Sequence, residues 1–470
     1  MNFLVPVALI GWIPAVLVLF MLLPPRRAVI AAFILAWLFL PMAGFAISGL
    51  PNYGKMFATC LGVLLGAALF DADRLLSFRW RAVDTFITLF CASPFFSAIF
   101  NDQGLYEATS VLVNRLVTWG MPYLIGRIYF ADLEAVRELA IGFLIGGLLY
   151  VPLCWIEIML SPQLHHWVYG YFQHAFSQTR RFGGYRPMVF MQHGLMLSIW
   201  MATTGLVGLW LWRSRSVKEV FGVPMILLVP PLLFTAVMCR SAYAVMLLVL
   251  GGAALYASTL LRTRLLMVAL LCVPPAFVAL RGSGLVSAEP LVSVAESVFG
   301  PDRAQSLSFR ATNEDPRAAR AREAWVWGWG RGLGAWQTEE YGAEHTVVDS
   351  LWVLTFGHAG AVGLVGLLGV FLLPMVLVLR DYRVEQWSHP LIAPIVALAM
   401  VLVLYMLDHL MNAMVNPVFM LAVGAVSGVH LWVREQFNAA RAGAPVAAAV
   451  ATHEVVPVTA VPAGGMMIVR

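Results

Sequence analysis

Apolar stretches long enough to cross a lipid bilayer recur along almost the whole chain, and they constrain the fold more than any other feature. A bilayer-spanning helix needs roughly 17–25 mainly apolar residues, and segments 3–23 and 136–159 are two examples. Of the 470 residues, 61% are hydrophobic and 12% are charged, which is about half the charged fraction of an average soluble protein. A transmembrane β-barrel would instead show weakly alternating segments of about ten residues. We therefore predict an all-α, polytopic integral membrane protein.

The pattern predicts about thirteen spans. Two of them, 57–70 and 224–239, are short for a bilayer, so we expect about 12–14 transmembrane helices. Residues 1–23 lack the basic start and the small-residue cleavage site of a signal peptide, and we interpret them as a retained span. The predicted spans are 3–23, 28–47, 57–70, 85–100, 108–130, 136–159, 188–212, 224–239, 241–260, 265–281, 361–379, 390–408 and 415–433.

Basic residues fall in alternate short loops, which predicts the orientation because such loops stay in the cytoplasm. The N-terminus is then outside and the C-terminus inside. The loops predicted outside are 48–56, 101–107, 160–187, 282–360 and 409–414. We expect a transmembrane bundle over 1–281, an extracytoplasmic loop with short helices over 282–360, further transmembrane helices over 361–433, and a disordered, Ala/Val/Pro-rich cytoplasmic tail over 434–470.

The cysteines and histidines do not follow a metal-binding or disulfide pattern. All five cysteines lie in or beside apolar segments, and none forms a Cys-x-x-Cys pair. The spacing of His165, His166 and His174 is not a recognised ligand pattern. We predict no metal and no cofactor.

Two of the loops predicted outside, 160–187 and 282–360, carry several arginines, contrary to the charge rule. Either these loops are translocated regardless of their charge, or the arginines hold something anionic there. Arg181 and Arg186 lie in a Gly-rich loop in which Pro187 suits the first turn of a helix carrying His193. An arginine pair at a helix N-terminus favours an anion such as phosphate, although such a pair also suits lipid headgroups. Arg240 lies in a tight hairpin between two spans, where it would either extend to the interface or join the same anion clamp.

The longest polar interval, Ser306–Gly360, contains Arg310 and the aromatic, Gly-rich run Trp325–Trp336. It also contains His345, with Asp349 four residues later. A histidine oriented by a carboxylate is a credible general base near neutral pH, whereas a lone histidine is often structural.

Polar residues at or within spans are weaker candidates. Asp408, His409 and Asn412 lie at a predicted outer span end, where they would line the same cavity as the arginines. Arg115 and Glu157 lie within apolar spans, and we expect them to pair with each other in a structural role.

Together these motifs resemble the O-antigen ligase and polymerase superfamily over roughly residues 50–430. The resemblance rests on the order of Arg181-x-Gly-Gly and His193, the Cys239-Arg240-Ser241-Ala242 hairpin, Phe309-Arg310, Gly328-Trp329-Gly330-x-Gly332 and His345 before an apolar segment. Cys239 stands where the family usually has a small hydroxyl residue, and Thr346 follows His345 where the ligases often have asparagine.

The resemblance implies a metal-independent glycosyltransferase in the bacterial inner membrane, with its active face in the periplasm. The donor would be a glycan on undecaprenyl pyrophosphate. The acceptor would be a glycolipid such as lipid A-core, another lipid-linked glycan, or a protein hydroxyl. His345 would be the catalytic base, and Arg181, Arg186, Arg240 and Arg310 would bind the pyrophosphate. His193, Asp349, Asp408 and His409 are possible supporting residues.

The partners expected are therefore these glycolipids and membrane lipids, and no nucleic acid. A transporter of lipid-linked sugars and a structural subunit of an envelope machine are the alternatives. A transporter would carry charged or broken helices near the middle of the membrane.

Overall fold

The structure, a computed structural model, describes residues 1–46, 52–181, 183–287, 289–299, 301–330 and 350–441. A π-helical turn, Leu116–Gly120, joins the helices Gly104–Arg115 and Met121–Tyr129, and short 3-10 helices span Ala82–Asp84, Phe176–Thr179 and Val384–Ser388. There are also three two-residue antiparallel hairpins: β1 (Gly44–Phe45) with β2 (Tyr53–Gly54), β3 (Arg180–Arg181) with β4 (Gly184–Tyr185), and β5 (Glu219–Val220) with β6 (Val223–Pro224). The α-helices are α1 (Leu4–Leu22), α2 (Pro25–Phe39), α3 (Lys55–Phe70), α4 (Ala72–Leu76), α5 (Thr85–Phe100), α6 (Gly104–Arg115), α7 (Met121–Tyr129), α8 (Leu133–Leu160), α9 (Leu164–Tyr169), α10 (Gly194–Arg213), α11 (Met225–Met238), α12 (Ala242–Leu261), α13 (Leu265–Gly282), α14 (Glu289–Phe299), α15 (Pro301–Glu323), α16 (Leu351–Asp381), α17 (Ala393–Asp408) and α18 (Pro417–Arg441).

Helices dominate the part of the chain that the structure describes. Eight of them are long and apolar enough to cross a membrane by length and composition, and α3, α11 and α17 are shorter apolar helices. Each predicted span overlaps one of these helices, α2, or the continuous α6–α7 unit. The helical architecture is thus confirmed, and several helices have the properties of membrane spans.

Five predicted boundaries are wrong, and a tertiary contact explains one of the errors. The helix predicted over 28–47 ends at Phe39, and Gly44–Phe45 form a short strand beyond it. The helix predicted from residue 188 begins at Gly194, because residues 188–189 are held in a turn by a buried carboxylate described below. The helix predicted from residue 361 already begins at Leu351. The loop expected to hold only short helices contains the 23-residue α15, and α18 continues to Arg441 into the predicted tail.

Helix α17 is the centre of the bundle, since every one of its residues from Ala393 to Asp408 is buried. A helix that is apolar on all sides belongs in the interior of a bundle. Helices α10, α16 and α18 pack around it. In contrast, α1 exposes large apolar side chains such as Ile10 and Met21, as expected for a helix that faces lipid.

Glycines allow the closest helix pairs to form. Between α7 and α18, a Cβ atom on Gly126 would lie 2.3 Å from the carbonyl oxygen of Leu421, and one on Gly424 would lie 2.1 Å from that of Tyr123. Between α5 and α16, a Cβ on Gly366 would lie 2.7 Å from the amide nitrogen of Phe90. Small residues at such crossings let the backbones of membrane helices approach and gain van der Waals contact.

Helix α16 is interrupted at Gly360, whose φ of 62° and ψ of −159° are not helical. The segment Trp325–Gly330 fills the interruption. The Trp329 N–H donates to the carbonyl of Gly357, and the Ala361 N–H donates to the carbonyl of Trp325, both at 2.7 Å. The aromatic, Gly-rich motif therefore completes the hydrogen bonding of a broken helix.

The loops predicted to share a side of the membrane do contact one another. At one end, Asn101 and Gln103 donate to the carbonyls of Gly328 and Trp329 at 2.9 and 2.7 Å. At the other end, Arg26 pairs with Asp132, and the Ser216 hydroxyl donates to the carbonyl of Pro390 at 2.7 Å. These contacts agree with the alternating arrangement of loops that was predicted from the arginines.

We expect Gly126→Ala to lower the thermal unfolding midpoint of the detergent-purified protein, because the added methyl group has no room against the backbone of α18. Overpacking of this kind costs about 1–3 kcal/mol. Gly11→Ala is the matched control, since a Cβ there meets nothing within 4 Å and alanine favours a helix by up to about 1 kcal/mol. Equal midpoints for the two variants would contradict this account of the α7–α18 contact.

Candidate functional site

A buried carboxylate organises the loop between α8 and α10. Glu157, 1% exposed, accepts hydrogen bonds from the backbone N–H groups of Leu164, Met188 and Val189 at 3.0, 2.8 and 2.7 Å. Val189 has a φ of 52°, which is uncommon for a β-branched residue. The expected pairing of Glu157 with Arg115 is wrong, because Glu157 binds this backbone turn and Arg115 lies over the ring of Phe90 at 4.8 Å.

The arginine loop forms a short hairpin rather than the first turn of a helix. Arg180 pairs with Tyr185 and Arg181 with Gly184 across β3 and β4. Gly183 has a φ of 72°, a conformation that glycine adopts without a steric penalty. Both arginines of β3 are exposed.

The side chain of Arg186 nevertheless lies at the N-terminus of α10, although Arg186 itself is not part of that helix. Its side chain crosses Gly194, the first residue of α10, where a Cβ would lie 2.3 Å from the Arg186 Cδ. Its Nη2 donates to the carbonyl of Arg240 at 2.9 Å. The predicted mechanism, in which Pro187 opens the helix, is wrong, but the predicted proximity of a guanidinium to a helix N-terminus is present.

Arg240 joins the same cluster from the α11–α12 hairpin. Its Nη1 donates to the carbonyl of Arg181 at 3.1 Å, and its guanidinium lies over Gly184, where a Cβ would be 2.3 Å from Nη2. Its φ of 54° is left-handed, which costs roughly 1–2 kcal/mol for a residue with a side chain. Hydrogen bonds thus link the loops of Arg181, Arg186 and Arg240, and we call these three residues the arginine cluster.

His193 lies beside the arginine cluster as the N-terminal cap of α10. Its Nδ1 accepts a hydrogen bond from the Leu195 N–H at 2.9 Å, so the neutral ring carries its proton on Nε2. The ring also packs edge-on against His174, with 4.5 Å between centroids. These contacts give His193 a role in positioning the helix end that Arg186 crosses.

The other histidines of this loop have structural contacts. His165 lies between the Met42 N–H, at 3.3 Å from Nε2, and the carbonyl of Tyr171, at 3.0 Å from Nδ1. Burial lowers the pKa of His165 and keeps its ring neutral. In the described part of the chain, no three His, Cys, Asp or Glu side chains are grouped to hold a metal ion.

Asp408 and His409 are buried inside the bundle. Asp408 accepts a hydrogen bond from the Asn412 side chain at 2.7 Å. His409 is fully buried, with its ring 4.0 Å from that of Tyr405. Burial lowers the pKa of His409 to about 3. The ring is therefore neutral, and its 4.0 Å approach to the Asp408 carboxylate is not an ion pair.

The turn that contains Asp408 connects the arginine cluster to the start of α16. The Tyr243 hydroxyl, in the first turn of α12, donates to the carbonyl of Leu407 at 2.7 Å. The Leu351 N–H, at the start of α16, lies 3.1 Å from the carbonyls of both His409 and Asn412. Tyr243 and Leu351 therefore bind the same turn. Tyr243 follows Arg240 by three positions, and Leu351 follows His345 by six.

Several predicted residues lie outside what the structure describes. These are His345, Asp349 and the side chain of Arg310, whose backbone belongs to α15. The sequence motifs do not include three further charged or polar side chains, Lys55, Arg281 and His358. The sequence feature that could identify them is an isolated charged or imidazole side chain within an apolar run or at its edge.

We expect Glu157→Ala to destabilise the protein by about 1–3 kcal/mol for each buried N–H group left without an acceptor. Unfolding midpoints by fluorescence in detergent would measure this loss. Glu134→Ala is the control, because Glu134 lies at the other end of α8, 56% exposed, in a pair with Arg137. Similar midpoints for both variants would show that the loop does not depend on Glu157.

The arrangement is suited to an oxyanion. Guanidinium groups bind phosphate oxygens through several directed donors, and the arginine cluster brings three of them to one end of the bundle, where Arg181 is exposed and Arg186 is 8% exposed. No protein-family model matches this chain, and neither does any curated protein.

Proposed function

We propose that this protein is a glycosyltransferase of the O-antigen ligase and polymerase type. It transfers a glycan from undecaprenyl pyrophosphate to an acceptor hydroxyl at the periplasmic face of the bacterial inner membrane, without a metal ion. Its C-terminus is cytoplasmic. The lipid-linked donor accounts for the large apolar helical scaffold around a small polar site.

The observation that carries this proposal is the convergence of Arg181, Arg186 and Arg240. When the glycosidic bond to a lipid pyrophosphate breaks, negative charge develops on the departing phosphate oxygen. Preorganised donors aimed at developing charge are usually the largest contribution to catalysis. The left-handed backbone of Arg240 adds support, because strained conformations cluster at functional sites.

In the proposed reaction, His345 removes the proton of the acceptor hydroxyl as that oxygen attacks the anomeric carbon of the donor sugar. The bond between this carbon and the pyrophosphate oxygen breaks, and the lipid pyrophosphate leaves with the electron pair. His345 precedes Leu351 by six residues, and Leu351 binds the turn that also binds Tyr243. This short connection favours His345 as the base that acts with Arg240.

The acceptor distinguishes three activities within this proposal. A lipid A-core acceptor makes the protein a ligase, a second lipid-linked repeat makes it a polymerase, and a protein hydroxyl makes it an oligosaccharyltransferase. Reconstitution with a purified lipid-linked glycan and each acceptor in turn identifies the activity by its product.

We expect Arg240→Gly and His345→Ala to reduce glycan transfer by about a hundredfold or more, the size of effect seen when one oxyanion donor is removed. Arg240→Gly is the sharper variant, because glycine adopts the left-handed backbone without penalty while the guanidinium is lost. Product formation in proteoliposomes would measure the effect, with Arg79→Ala, an exposed arginine elsewhere, as the control. Transfer at the wild-type rate in both variants, with normal insertion, would refute the proposal.

A second candidate function, transport of a lipid-linked sugar, is favoured by the break in α16 at Gly360 and by the π-helical turn beside Arg115. Transporters place substrate sites at discontinuous helices. The same proteoliposomes distinguish the two functions. A transporter moves the lipid-linked sugar across the bilayer and leaves its glycosidic bond intact, whereas a transferase forms a new glycan product.

A further inference from the structure

Two adjoining cavities lie away from the arginine cluster, around the π-helical turn between α6 and α7. One has a volume of about 290 Å³ and the other about 220 Å³. Asn114 and Thr118 line both cavities, so the two share a polar wall. We call the two cavities together the α6 cleft.

A cation lines each part of the α6 cleft. Lys55, 6% exposed, begins α3, and its Nζ lies 3.3 Å from the carbonyl oxygen of Trp37 and 4.1 Å from the centroid of the Trp37 ring. Arg115 ends α6, and its guanidinium lies 4.8 Å from the ring of Phe90. Both cations thus rest on aromatic faces.

Neither cation has a carboxylate partner among the residues that the structure describes, and no described Asp or Glu lines either cavity. A buried lysine can lose its proton, but arginine remains charged in proteins. Arg115 lies seven residues, roughly 10 Å, into the span predicted from residue 108, so it lies within a bilayer's apolar thickness of about 30 Å. A charge at that depth is costly unless it is paired, and it usually marks a ligand pathway.

The local backbone supplies a second, independent sign of function. Thr118 and Trp119 belong to the π-helical turn Leu116–Gly120, and such single turns inside helices occur frequently at functional sites. Gly330 and His358 complete the wall of the larger cavity. They come from the inserted segment and from the broken part of α16, so two irregular backbone elements meet at the same cleft.

We infer that the α6 cleft binds an oxyanion between Lys55 and Arg115, with the phosphate ester of an amphiphile as the chemical class of ligand. The cations supply the charge, and Asn114 and Thr118 supply neutral polar groups. Val111, Val117 and Pro94 give the same walls an apolar part that suits a lipid chain. The site shares no residue with the arginine cluster and is independent of the proposed transferase activity.

Titration of the full-length, detergent-purified protein tests this inference. The probes are dioctanoyl phosphatidic acid, dioctanoylglycerol, which lacks the phosphate, and inorganic phosphate. Binding is followed by calorimetry and by the ligand-dependent rise in the unfolding midpoint. We expect phosphatidic acid to bind and dioctanoylglycerol not to bind. We also expect Arg115→Gln and Lys55→Gln each to weaken binding by about tenfold or more, and Arg79→Gln to leave it unchanged.

The two phosphate probes identify the source of the ligand. Binding of phosphatidic acid alone supports a lipid headgroup, and competition by inorganic phosphate supports a simpler anion site; both support an oxyanion in the cleft. Lys55→Gln keeps the test valid if Arg115→Gln does not fold. The inference is overturned if neither phosphate probe binds, if dioctanoylglycerol binds equally well, or if both cleft variants bind like wild type.

Discussion

The need to satisfy every backbone hydrogen bond within apolar surroundings governs this structure. Within a helix, the backbone N–H and C=O groups bind each other. Where a helix is broken, the freed groups need hydrogen-bond partners from elsewhere in the protein, because lipid offers none. At the turn before α10, Glu157 accepts from the N–H groups of Met188 and Val189. At Gly360, the segment Trp325–Gly330 supplies the missing bonds. Both of these irregular backbone regions are thus tied to residues far away in the sequence.

Close helix packing places those regions relative to one another. Gly126 and Gly424 bring α7 against α18, and Gly366 brings α16 against α5. Because α16 is held against α5, its broken part lies beside the π-helical turn. Around the buried α17, the ends of α12 and α16 bind one turn, through Tyr243 and Leu351. The packing of α16 against α5 therefore helps to form the α6 cleft.

Three sets of cations differ in what their charged groups contact. In the arginine cluster, Arg186 and Arg240 donate to backbone carbonyls of each other's loops, which holds the guanidinium groups in position beside the exposed Arg181. Arg281 is a contrasting case, since it is buried in ion pairs with Glu314 and Asp315 and ties α13 to α15. In the α6 cleft, Lys55 and Arg115 rest on aromatic rings instead of carboxylates. Charge alone, as counted in the sequence, does not distinguish these situations.

The sequence by itself determined the helical class, the positions of most helices, the alternation of loops and the grouping of Arg181, Arg186 and Arg240, because apolar length and charge placement act locally along the chain. Only the tertiary structure decided that Glu157 binds a backbone turn rather than Arg115, that α10 begins at Gly194 rather than near Pro187, and that α16 is broken at Gly360. The physical reason is that these outcomes depend on hydrogen bonds between groups that are 30 or more residues apart in the sequence. A buried backbone donor binds whichever acceptor the packing of the helices brings next to it. The local periodicity of apolar residues does not predict such long-range pairings.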